Sequence, residues 1–374
     1  MKKIGIVGGG QLGRMLAFEA KKMGMYVAIV DPTPQSPAGQ VSDFQILGDY
    51  KDTSATKKLA KISDVVTIDA EFVNDEILQK LEDQGKSIHP SSQTIKIIKD
   101  KFSQKKFLKT CKIPTAEFIE IENEKDILKA GEKFGYPFLL KARTDAYDGK
   151  GNFVVSSKNK IQKGQEVLLG RPLYAEKYVP FIKELSVVVA RSTKGELKNF
   201  PVVETIHKNN ICDIVIVPAQ ISAKAKRNAE KLALQVMKKM KGAGVFAIEM
   251  FLRKDGAVLV NEIAPRVHNS GHFSIEACFT SQFEQHIRAI TGLPLGDTSL
   301  KVKYAVMKNI LGTKNGQIDD SGLKKALKFP GVSVHLYGKK ENRIGRKMGH
   351  ITAVGNSLTV CLRNVNKARK ELKI

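Results

Sequence analysis

Two glutamates stand within apolar segments on either side of a predicted hairpin. The segments Val245–Phe251 and Ala257–Ile263 are mainly apolar, and the Asp-Gly pair between them is a strong signal for a two-residue turn. With that turn, Glu249 and Glu262 are direct cross-strand partners, with Cβ atoms roughly 4.5–5.5 Å apart. Such carboxylates repel each other unless a cation lies between them, and Mg²⁺ commonly binds one or two carboxylates together with substrate phosphates. The pattern predicts a metal site, with two solvated surface acids as the alternative.

A glycine-rich segment near the N-terminus carries a second chemical pattern. Residues 8–13 read GGGQLG, a GxGxxG motif that follows the strand-like Lys3–Val7 and opens the helix-like Gln11–Lys22. Asp31 ends the next strand, Tyr26–Val30. This arrangement is typical of dinucleotide-binding folds, in which the acid contacts a ribose. Its physical basis is only that glycines let a phosphate approach a helix N-terminus. The motif therefore leaves open NAD(P), FAD or another phosphate ligand.

A lysine-bearing strand and a glycine-rich hairpin form a second candidate phosphate site. The strand Phe138–Ala142 carries Lys141 within its apolar pattern, and residues 147–152 read YDGKGN. The backbone N–H groups and the lysine of such a hairpin can fold over phosphates. Downstream, the extended segment Ala175–Pro180 can offer backbone groups to a purine edge, and Glu184 can bind ribose hydroxyls. Each feature alone is also compatible with an ordinary turn or a solvated strand end.

The composition limits the class of protein. The chain has 374 residues, a formal net charge of +24 and four cysteines without metal-type spacing. This length predicts two or three domains, and no apolar run is long enough to span a membrane. The N-terminus opens directly into a strand, so we expect no signal peptide and a cytoplasmic protein. The charge suits anionic small substrates. Because no nucleic-acid-binding motif is present, we do not expect a nucleic acid as partner. Because no apolar run is long enough, we do not expect a membrane as partner.

The order of the elements predicts a mixed fold. Strands and helices alternate up to the strand Asp64–Ile68, which predicts a parallel sheet. From Pro137 onwards, paired strands around glycine-rich turns predict an antiparallel sheet. Long helices are predicted at Gln93–Thr110, Ala223–Met240 and Ser274–Ile290. The fold class is therefore α/β, with an α+β part.

Taken together, these elements resemble the ATP-grasp superfamily and, within it, the 5-(carboxyamino)imidazole ribonucleotide synthetase family. The most specific stretches read GGGQLGRM at residues 8–15, YDGKG at 147–151, NEIAPRVHNSGH at 261–272 and RKMGHI at 346–351. The likeness covers essentially the whole chain. It implies an ATP-grasp fold with a Rossmann-like parallel-sheet domain at 1–99, an ATP-grasp domain at 100–300 with a lid at about 113–178, and a small C-terminal domain at 301–374.

The resemblance also implies a role for a larger set of residues. ATP would be bound by Lys101, Lys141, Ala146, Tyr147, Asp148, Gly149, Lys150, Gly151, Asn152, Glu176, Lys177, Tyr178, Val179, Glu184, His207, Asn261 and Glu262. The ribonucleotide would be bound by Gln11, Leu12, Glu71, Arg266, His268, Asn269, Arg346 and Lys347. Tyr147, Asp148, Arg266, His268 and Lys347 would take part in catalysis. Glu249 and Glu262 would bind Mg²⁺, with Mn²⁺ as the alternative.

Two positions depart from the family pattern. Many relatives have arginine where this chain has Lys101, so its phosphate or adenine contact would be a point charge rather than a fork. The segment 67–74, which reads TIDAEFVN, also differs from the commoner form, and this affects the assignment of Glu71.

The implied chemistry is an ATP-dependent carboxylation in purine biosynthesis by a homodimer. Bicarbonate would attack the γ-phosphate of ATP to give carboxyphosphate, and the exocyclic amine of 5-aminoimidazole ribonucleotide would take up the carboxyl group. Asp148 or Glu71 would accept the amine proton. Three alternatives stay open: a formate-dependent glycinamide ribonucleotide transformylase of the same superfamily, a Rossmann-type NAD(P) oxidoreductase and, on the charge alone, a nucleic-acid-binding protein.

Overall fold

The computed structural model describes residues 1–145 and 151–374, so the predicted loop residues Ala146, Tyr147, Asp148, Gly149 and Lys150 lie outside the described residues. Within these ranges the strands are β1 (Lys3–Val7), β2 (Tyr26–Asp31), β3 (Phe44–Leu47), β4 (Val65–Ile68), β5 (Ser87–Ile88), β6 (Phe118–Ile121), β7 (Phe138–Ala142), β8 (Asn152–Val155), β9 (Leu173–Lys177), β10 (Phe181–Arg191), β11 (Leu197–Asn199), β12 (Val203–Lys208), β13 (Ile211–Val217), β14 (Gly244–Arg253), β15 (Val258–Ala264), β16 (Tyr304–Leu311), β17 (Val332–Leu336) and β18 (Lys347–Gly355). The α-helices are α1 (Gln11–Lys22), α2 (Thr53–Ile62), α3 (Asp75–Asp83), α4 (Ser92–Lys99), α5 (Lys101–Thr110), α6 (Glu124–Phe134), α7 (Ile161–Val167), α8 (Ala223–Lys239), α9 (Ser274–Ala277), α10 (Gln282–Thr291), α11 (Leu323–Ala326) and α12 (Leu358–Glu371). Short 3₁₀ helices span Lys158–Lys160 and Asn269–Gly271.

The first five strands form a parallel sheet. Its order is β3-β2-β1-β4-β5, with β1 between β2 and β4. These three strands are almost wholly buried, as expected for a parallel sheet that is covered on both faces. Helices α2 and α3 pack on one face, and α1 and α10 pack on the other. The carboxyl ends of β1 and β4 meet at one edge, where the glycine-rich segment 8–13 lies.

Nine further strands form one antiparallel sheet. Its order is β15-β14-β10-β12-β13-β16-β18-β17, and β11 pairs with β10. Strands β16 to β18 come from the predicted C-terminal domain, and they join the sheet through the pairing of β13 with β16. The segment 301–374 therefore extends the central sheet, while α12 packs on β16 and β18 and gives it a hydrophobic cluster of its own.

A smaller antiparallel sheet lies within the segment predicted as a lid. Its order is β6-β9-β7-β8, and helices α6 and α7 cover it around the buried Phe138 and Leu140. This sheet contributes Lys141 from β7 and Glu176 from β9. None of the helices in the described ranges is both long enough and apolar enough to cross a membrane.

Two helices that were predicted as continuous are each broken in the structure. The predicted helix Gln93–Thr110 divides at Asp100, whose side chain accepts two backbone hydrogen bonds at 2.9 and 3.2 Å and so begins α5. The predicted helix Ser274–Ile290 stops at Ala277, and Ser281 caps the new helix α10. In both cases a short polar side chain accepts hydrogen bonds from backbone N–H groups. In a continuous helix these groups would donate to carbonyls four residues earlier.

The turn of the glutamate hairpin differs from the prediction. The Arg253 N–H donates to the Ala257 carbonyl at 2.9 Å, which closes a loop of three residues rather than two. Gly256 adopts the left-handed conformation at φ +83°, which glycine tolerates at this position of a three-residue loop. The predicted two-residue Asp-Gly turn was therefore wrong.

The predicted pairing of the two glutamates is nevertheless correct, because a bulge in β15 compensates for the longer turn. Met250 pairs with Val260, whereas Glu249 pairs with Glu262. Asn261 is the extra residue that this register leaves without a partner in β14. Such bulges re-aim side chains and are common beside active sites. The bulge brings Asn261 and Glu262 together opposite Glu249.

A buried histidine joins the parallel sheet to the central sheet. The Val245 N–H donates to Nδ1 of His286 at 3.1 Å, and Nε2 of the same ring lies 2.8 Å from Thr67 Oγ1. Because Nδ1 accepts, the neutral ring carries its proton on Nε2 and donates it to Thr67. Burial lowers the pKa of His286 to about 3, so the ring is neutral at neutral pH.

We predict that His286→Leu lowers the free energy of unfolding by about 2–4 kcal/mol at pH 7.5, because the Val245 N–H and the Thr67 hydroxyl lose their buried partner. The depressed pKa of His286 means that its contribution is present above pH 6.5 and falls as the pH drops towards 3. The difference in unfolding free energy between wild type and His286→Leu should therefore narrow by roughly 2 kcal/mol between pH 7.5 and pH 5. Urea denaturation at both pH values measures it.

Thr67→Val is the control, because it breaks one of the same hydrogen bonds but keeps the imidazole. Its cost should vary little with pH. An unfolding free energy with the same pH dependence in wild type and His286→Leu would contradict the assignment.

Candidate functional site

The opposed carboxylates of β14 and β15 lie beside a lysine. Lys101 Nζ lies 2.6 Å from Glu262 Oε2, and Glu249 is the cross-strand partner of Glu262. Burial and the negative charge of Glu262 raise the pKa of Glu249 to about 7. Burial opposes the charge of Lys101, but the surrounding glutamates, first Glu262, outweigh burial and raise the lysine pKa. The carboxylate pair therefore attracts positive charge beyond what Lys101 supplies.

These carboxylates fit a divalent cation of the magnesium type. No cluster of three or more histidine, cysteine or acidic side chains suited to a metal occurs among residues 1–145 and 151–374. Glu249 and Glu262 would supply hard oxygen ligands, and phosphates and water would complete the shell, as is common for Mg²⁺. Asn261 Oδ1, on the bulge beside Glu262, is buried without a hydrogen-bond partner in the described part of the chain. The site thus also contains a spare acceptor for a ligand.

Two buried lysines share one buried glutamate. Lys141 Nζ donates to Glu176 Oε1 at 3.2 Å, and Lys105 Nζ lies 2.8 Å from Glu176 Oε2. Lys105 also donates to Thr115 Oγ1 at 2.9 Å. Burial raises the pKa of Glu176, but the two lysines outweigh burial and lower it to about 2. Burial lowers the pKa of Lys105 and outweighs the opposite effect of Glu176. When all three groups are ionised, the trio carries one net positive charge.

An ion pair on the central sheet unites two predicted nucleotide ligands. His207 Nδ1 and the carboxylate of Glu184 are in close contact between the paired strands β12 and β10. Burial disfavours the charged imidazole, but Glu184 outweighs burial and raises the pKa of His207. A register shift between β12 and β13 falls directly at His207. The pair can present a carboxylate oxygen and an imidazole N–H at the surface of the sheet.

The remaining predicted nucleotide residues lie on two connections. After β9, Val179 is buried, Tyr178 is 42% exposed and Lys177 forms an exposed ion pair. After the predicted phosphate loop, Gly151 has φ +104° and its carbonyl accepts a hydrogen bond from the Ala142 N–H, while Asn152 is exposed. The strand β9, which carries Glu176, ends at Lys177 and is followed directly by Tyr178 and Val179.

An arginine–glutamate fork lies on the side of the parallel sheet. Arg266 Nε and Nη2 donate to Glu71 Oε2 and Oε1 at 2.6 and 3.1 Å. Burial raises the pKa of Glu71, but Arg266 outweighs burial and lowers it. Burial likewise opposes the charge of Arg266, and Glu71 raises the arginine pKa. Both groups are therefore ionised.

A neutral histidine lies between this fork and the opposed carboxylates. His268 Nε2 lies 3.4 Å from Glu249 Oε1, and the Ser270 N–H donates to Nδ1 at 3.3 Å. Burial and the positive charges of Arg266 and Lys347 hold the pKa of His268 well below its usual value. The ring therefore carries its proton on Nε2, facing Glu249.

The amide groups of the glycine-rich segment already face a carboxylate of the protein. Asp69 follows β4, and its Oδ2 and Oδ1 accept from the N–H groups of Gly10 and Gly13 at 2.6 and 3.0 Å. The Gly9 N–H donates to Asp31 Oδ2 at 2.9 Å. A Cβ on Gly10 would lie 2.5 Å from Asp69 Oδ2, so the approach of Asp69 explains this glycine. The backbone donors expected to bind a dinucleotide phosphate are thus occupied by Asp31 and Asp69, and this finding disfavours a dinucleotide here.

The other predicted substrate residues are placed less directly. Asn269 and Asn309 are buried and exchange amide hydrogen bonds at 2.6 and 2.9 Å. The side chain of Leu12 packs in the core, so a substrate contact would come from its backbone. Gln11 and Arg346 are partly exposed. Lys347 begins β18 at a bulge and lies close enough to His268 to lower the pKa of that histidine. The amide of Asn269 is instead hydrogen-bonded to Asn309.

Two buried ionisable side chains at the site were not predicted from the sequence. Lys105 stands between Phe102 and Leu108 at helical spacing, on the buried face of α5, so a charge within an apolar stripe was the available signal. Asp69 follows a buried parallel strand next to β1, and the carboxyl ends of such strands meet at one edge. These signals indicate that both residues are buried, but they do not identify the distant residues that they contact.

Matches to known families cover most of the chain. Residues 1–99 match the ribonucleotide synthetase preATP-grasp domain, residues 106–283 match the ATP-grasp domain, and residues 305–364 match the phosphoribosylaminoimidazole carboxylase C-terminal domain. The phosphoribosylaminoimidazole carboxylase of Ogataea methanolica is 46% identical over 97% of this chain. The chain spans 68% of that relative and 64% of the similar chloroplastic enzyme of Vigna aconitifolia.

Shorter relatives and a solved structure align over nearly their whole length. The N5-carboxyaminoimidazole ribonucleotide synthase of Bacillus subtilis is 41% identical over 93% of this chain and 90% of its own length. The N5-carboxyaminoimidazole synthase of Aspergillus clavatus, solved with ADP and 5-aminoimidazole ribonucleotide, superposes with a TM-score of 0.92. That structure is 38% identical and covers 99% of this chain and 98% of its own. The chain therefore belongs to the N5-carboxyaminoimidazole ribonucleotide synthase family of ATP-grasp enzymes.

Proposed function

We propose that this chain catalyses the ATP-dependent carboxylation of 5-aminoimidazole ribonucleotide with bicarbonate. The products are 5-(carboxyamino)imidazole ribonucleotide, ADP and phosphate, in purine biosynthesis. One observation carries the proposal: the opposed carboxylates contact Lys101 at 2.6 Å through Glu262 and His268 at 3.4 Å through Glu249. The relative from Aspergillus clavatus, which was solved with ADP and 5-aminoimidazole ribonucleotide, supports the same two ligands.

We propose that ATP binds between the small antiparallel sheet and the central sheet. Lys141, with the loop that follows it, would attract the phosphates, and the Glu184–His207 pair would face the ribose. Glu249 and Glu262 would hold Mg²⁺. The ion would neutralise charge on the transferring phosphoryl group. Lys101 would supply a fixed positive charge beside them.

The reaction would proceed in two transfers. A bicarbonate oxygen would attack the γ-phosphorus, the bond to the β-phosphate oxygen would break, and ADP would leave. The exocyclic nitrogen of the ribonucleotide would then bond to the carbon of carboxyphosphate, phosphate would leave, and the nitrogen would lose a proton. Arg266 and Lys347 would orient and stabilise these anions.

The amine proton needs an acceptor. Of the two carboxylates expected for this role, Glu71 is held in the arginine fork, and its lowered pKa makes it a weak base. Asp148 is therefore the proposed acceptor, although it lies outside the described residues. Glu71 would instead fix the orientation of Arg266 beside the ribonucleotide.

The test is a steady-state assay of ADP release. The proposal expects release that requires both bicarbonate and 5-aminoimidazole ribonucleotide, with the carboxylated ribonucleotide as product. Glycinamide ribonucleotide with formate should not replace this pair. ADP release that depends on glycinamide ribonucleotide and formate, or no ATP turnover at all with the expected substrates, would contradict the proposal.

We predict that Glu262→Gln reduces ATP turnover at least about 100-fold, because a ligand that stabilises transition-state charge is lost. The substitution keeps the shape of the side chain and should leave the melting temperature nearly unchanged. Asp255→Asn, in the exposed turn of the same hairpin, is the matched control and should retain full activity. Normal turnover in a folded Glu262→Gln protein would refute the metal assignment.

We predict that Lys347→Met lowers ribonucleotide-dependent turnover at least about tenfold, which corresponds to roughly 1.4 kcal/mol of barrier. ADP affinity should change little, since Lys347 is expected to act on the ribonucleotide side. Arg343→Ala, in the exposed turn before β18, is the control. Unchanged kinetics would remove Lys347 from the site, and lost ADP binding would move it to the nucleotide side.

Further proposals concern organisation. We propose domain boundaries at 1–99, 100–300 and 301–374 and a homodimer, as the family resemblance implies, and a cytoplasmic location, as the sequence analysis expects. The pairing of β13 with β16 supports a close association of the second and third segments. Light scattering of the purified protein would test the dimer.

A further inference from the structure

Lys105 is a fully enclosed charge for which the proposed reaction assigns no role. It is 2% exposed on α5, and its ammonium contacts Glu176 Oε2 at 2.8 Å and Thr115 Oγ1 at 2.9 Å. Removing an ammonium group from water is costly unless its partners compensate for it. A lysine in this position therefore needs a reason beyond packing.

The partner of Lys105 is also the partner of the proposed phosphate lysine. Glu176, which is 1% exposed, accepts from Lys141 at 3.2 Å through its other oxygen. With Lys105 absent, Glu176 and Lys141 would form a neutral buried pair. Lys141 would then keep much less attraction for an anion, because its charge would be compensated at close range in a medium of low dielectric constant.

Lys105 is also tied to the strand of the proposed metal ligands. The Thr115 hydroxyl accepts from Lys105 and donates to the Val260 carbonyl at 2.8 Å, and Val260 precedes the bulge that carries Asn261 and Glu262. The ammonium of Lys105 is thus held in place from both sides of the cleft. Its position is fixed before any ligand arrives.

We propose that Lys105 is a positioning residue that neutralises Glu176 and so leaves the charge of Lys141 available to the phosphates of the nucleotide. This inference rests on the proposed function, because it takes Lys141 as a phosphate ligand. It differs from that function in assigning the effect to a charge balance among three buried groups. The balance is one positive charge in the wild type and zero when Lys105 alone is removed.

The balance can be altered with side chains of matched shape. Lys105→Met removes the positive charge, Glu176→Gln removes the negative charge, and the double variant restores one positive charge on Lys141. We expect Lys105→Met to weaken ADP binding at least about tenfold, an effect of roughly 1.4 kcal/mol. Adenosine binding, which involves no phosphate, should change by less than about threefold. The double variant should bind ADP more tightly than Lys105→Met does.

Lys106→Met is the matched control. This neighbouring lysine points to solvent, where it lies 3.8 Å from Glu120, so its removal changes the net charge equally but leaves the trio intact. Its ADP affinity should equal that of the wild type. Calorimetric titrations with ADP and with adenosine measure all four variants.

Distinct outcomes would overturn the inference. If Lys105 served only packing, two buried substitutions would be worse than one, and the double variant would bind ADP no better than Lys105→Met. Equal weakening of ADP and adenosine by Lys105→Met would also contradict a charge effect. If Lys105→Met does not fold, the comparison of the double variant with Glu176→Gln decides. With Glu176 already neutral, loss of the Lys105 charge should weaken ADP binding by less than about threefold, and a larger loss would contradict the inference. A wild-type protein that binds adenosine but not ADP would overturn the proposed function as well.

Discussion

The repulsion between two half-buried carboxylates is the constraint on which the site depends. Glu249 and Glu262 face each other across the hairpin, and this proximity with burial raises the pKa of Glu249 to about 7. The protein places Lys101 against one carboxylate but leaves the pair with an excess of negative charge. An excess of negative charge gives a site affinity for a cation, and the cation can in turn bind a phosphate. The two strands stay paired despite the repulsion between their carboxylates, because the surrounding sheet holds them in register.

Bulges position several of the side chains proposed to be functional. A register shift occurs beside His207 in β12, another makes Asn261 the extra residue of β15, and a third lies beside Lys347 in β18. A regular strand alternates its side chains between two faces, whereas a bulge places neighbouring residues on one side and increases the local twist. All three lie in the same nine-stranded sheet, which crosses the segment boundary expected near residue 300. The sheet therefore brings side chains from distant parts of the sequence to one candidate site.

Much of this arrangement was readable from the sequence, and the exceptions have physical causes. The strands Lys3–Val7 and Phe138–Ala142 and the helix Gln11–Lys22 have the expected bounds, because their apolar periodicity is strong. The pairing of the glutamates was predicted correctly through two errors that cancel, a turn taken as one residue too short and a bulge that was not foreseen.

The charges that organise the site were harder to predict. Lys105 and Asp69 act through partners distant in sequence, on β9 and in the glycine-rich segment respectively. Local patterns indicate that such a residue lies in the interior, but only the tertiary fold determines which group it meets. The GGGQLG motif illustrates the same limit, because its donors satisfy a carboxylate of the protein itself.

The most direct test of the carboxylate site is the stoichiometry of Mn²⁺ binding in the presence of ADP, measured by electron paramagnetic resonance. Mn²⁺ accepts the same oxygen ligands as Mg²⁺ and reports the bound fraction directly. The opposed pair predicts one tightly bound ion per chain that is lost in Glu249→Gln, while the fold is retained. Binding of Mn²⁺ with unchanged affinity and stoichiometry in that variant would contradict the account.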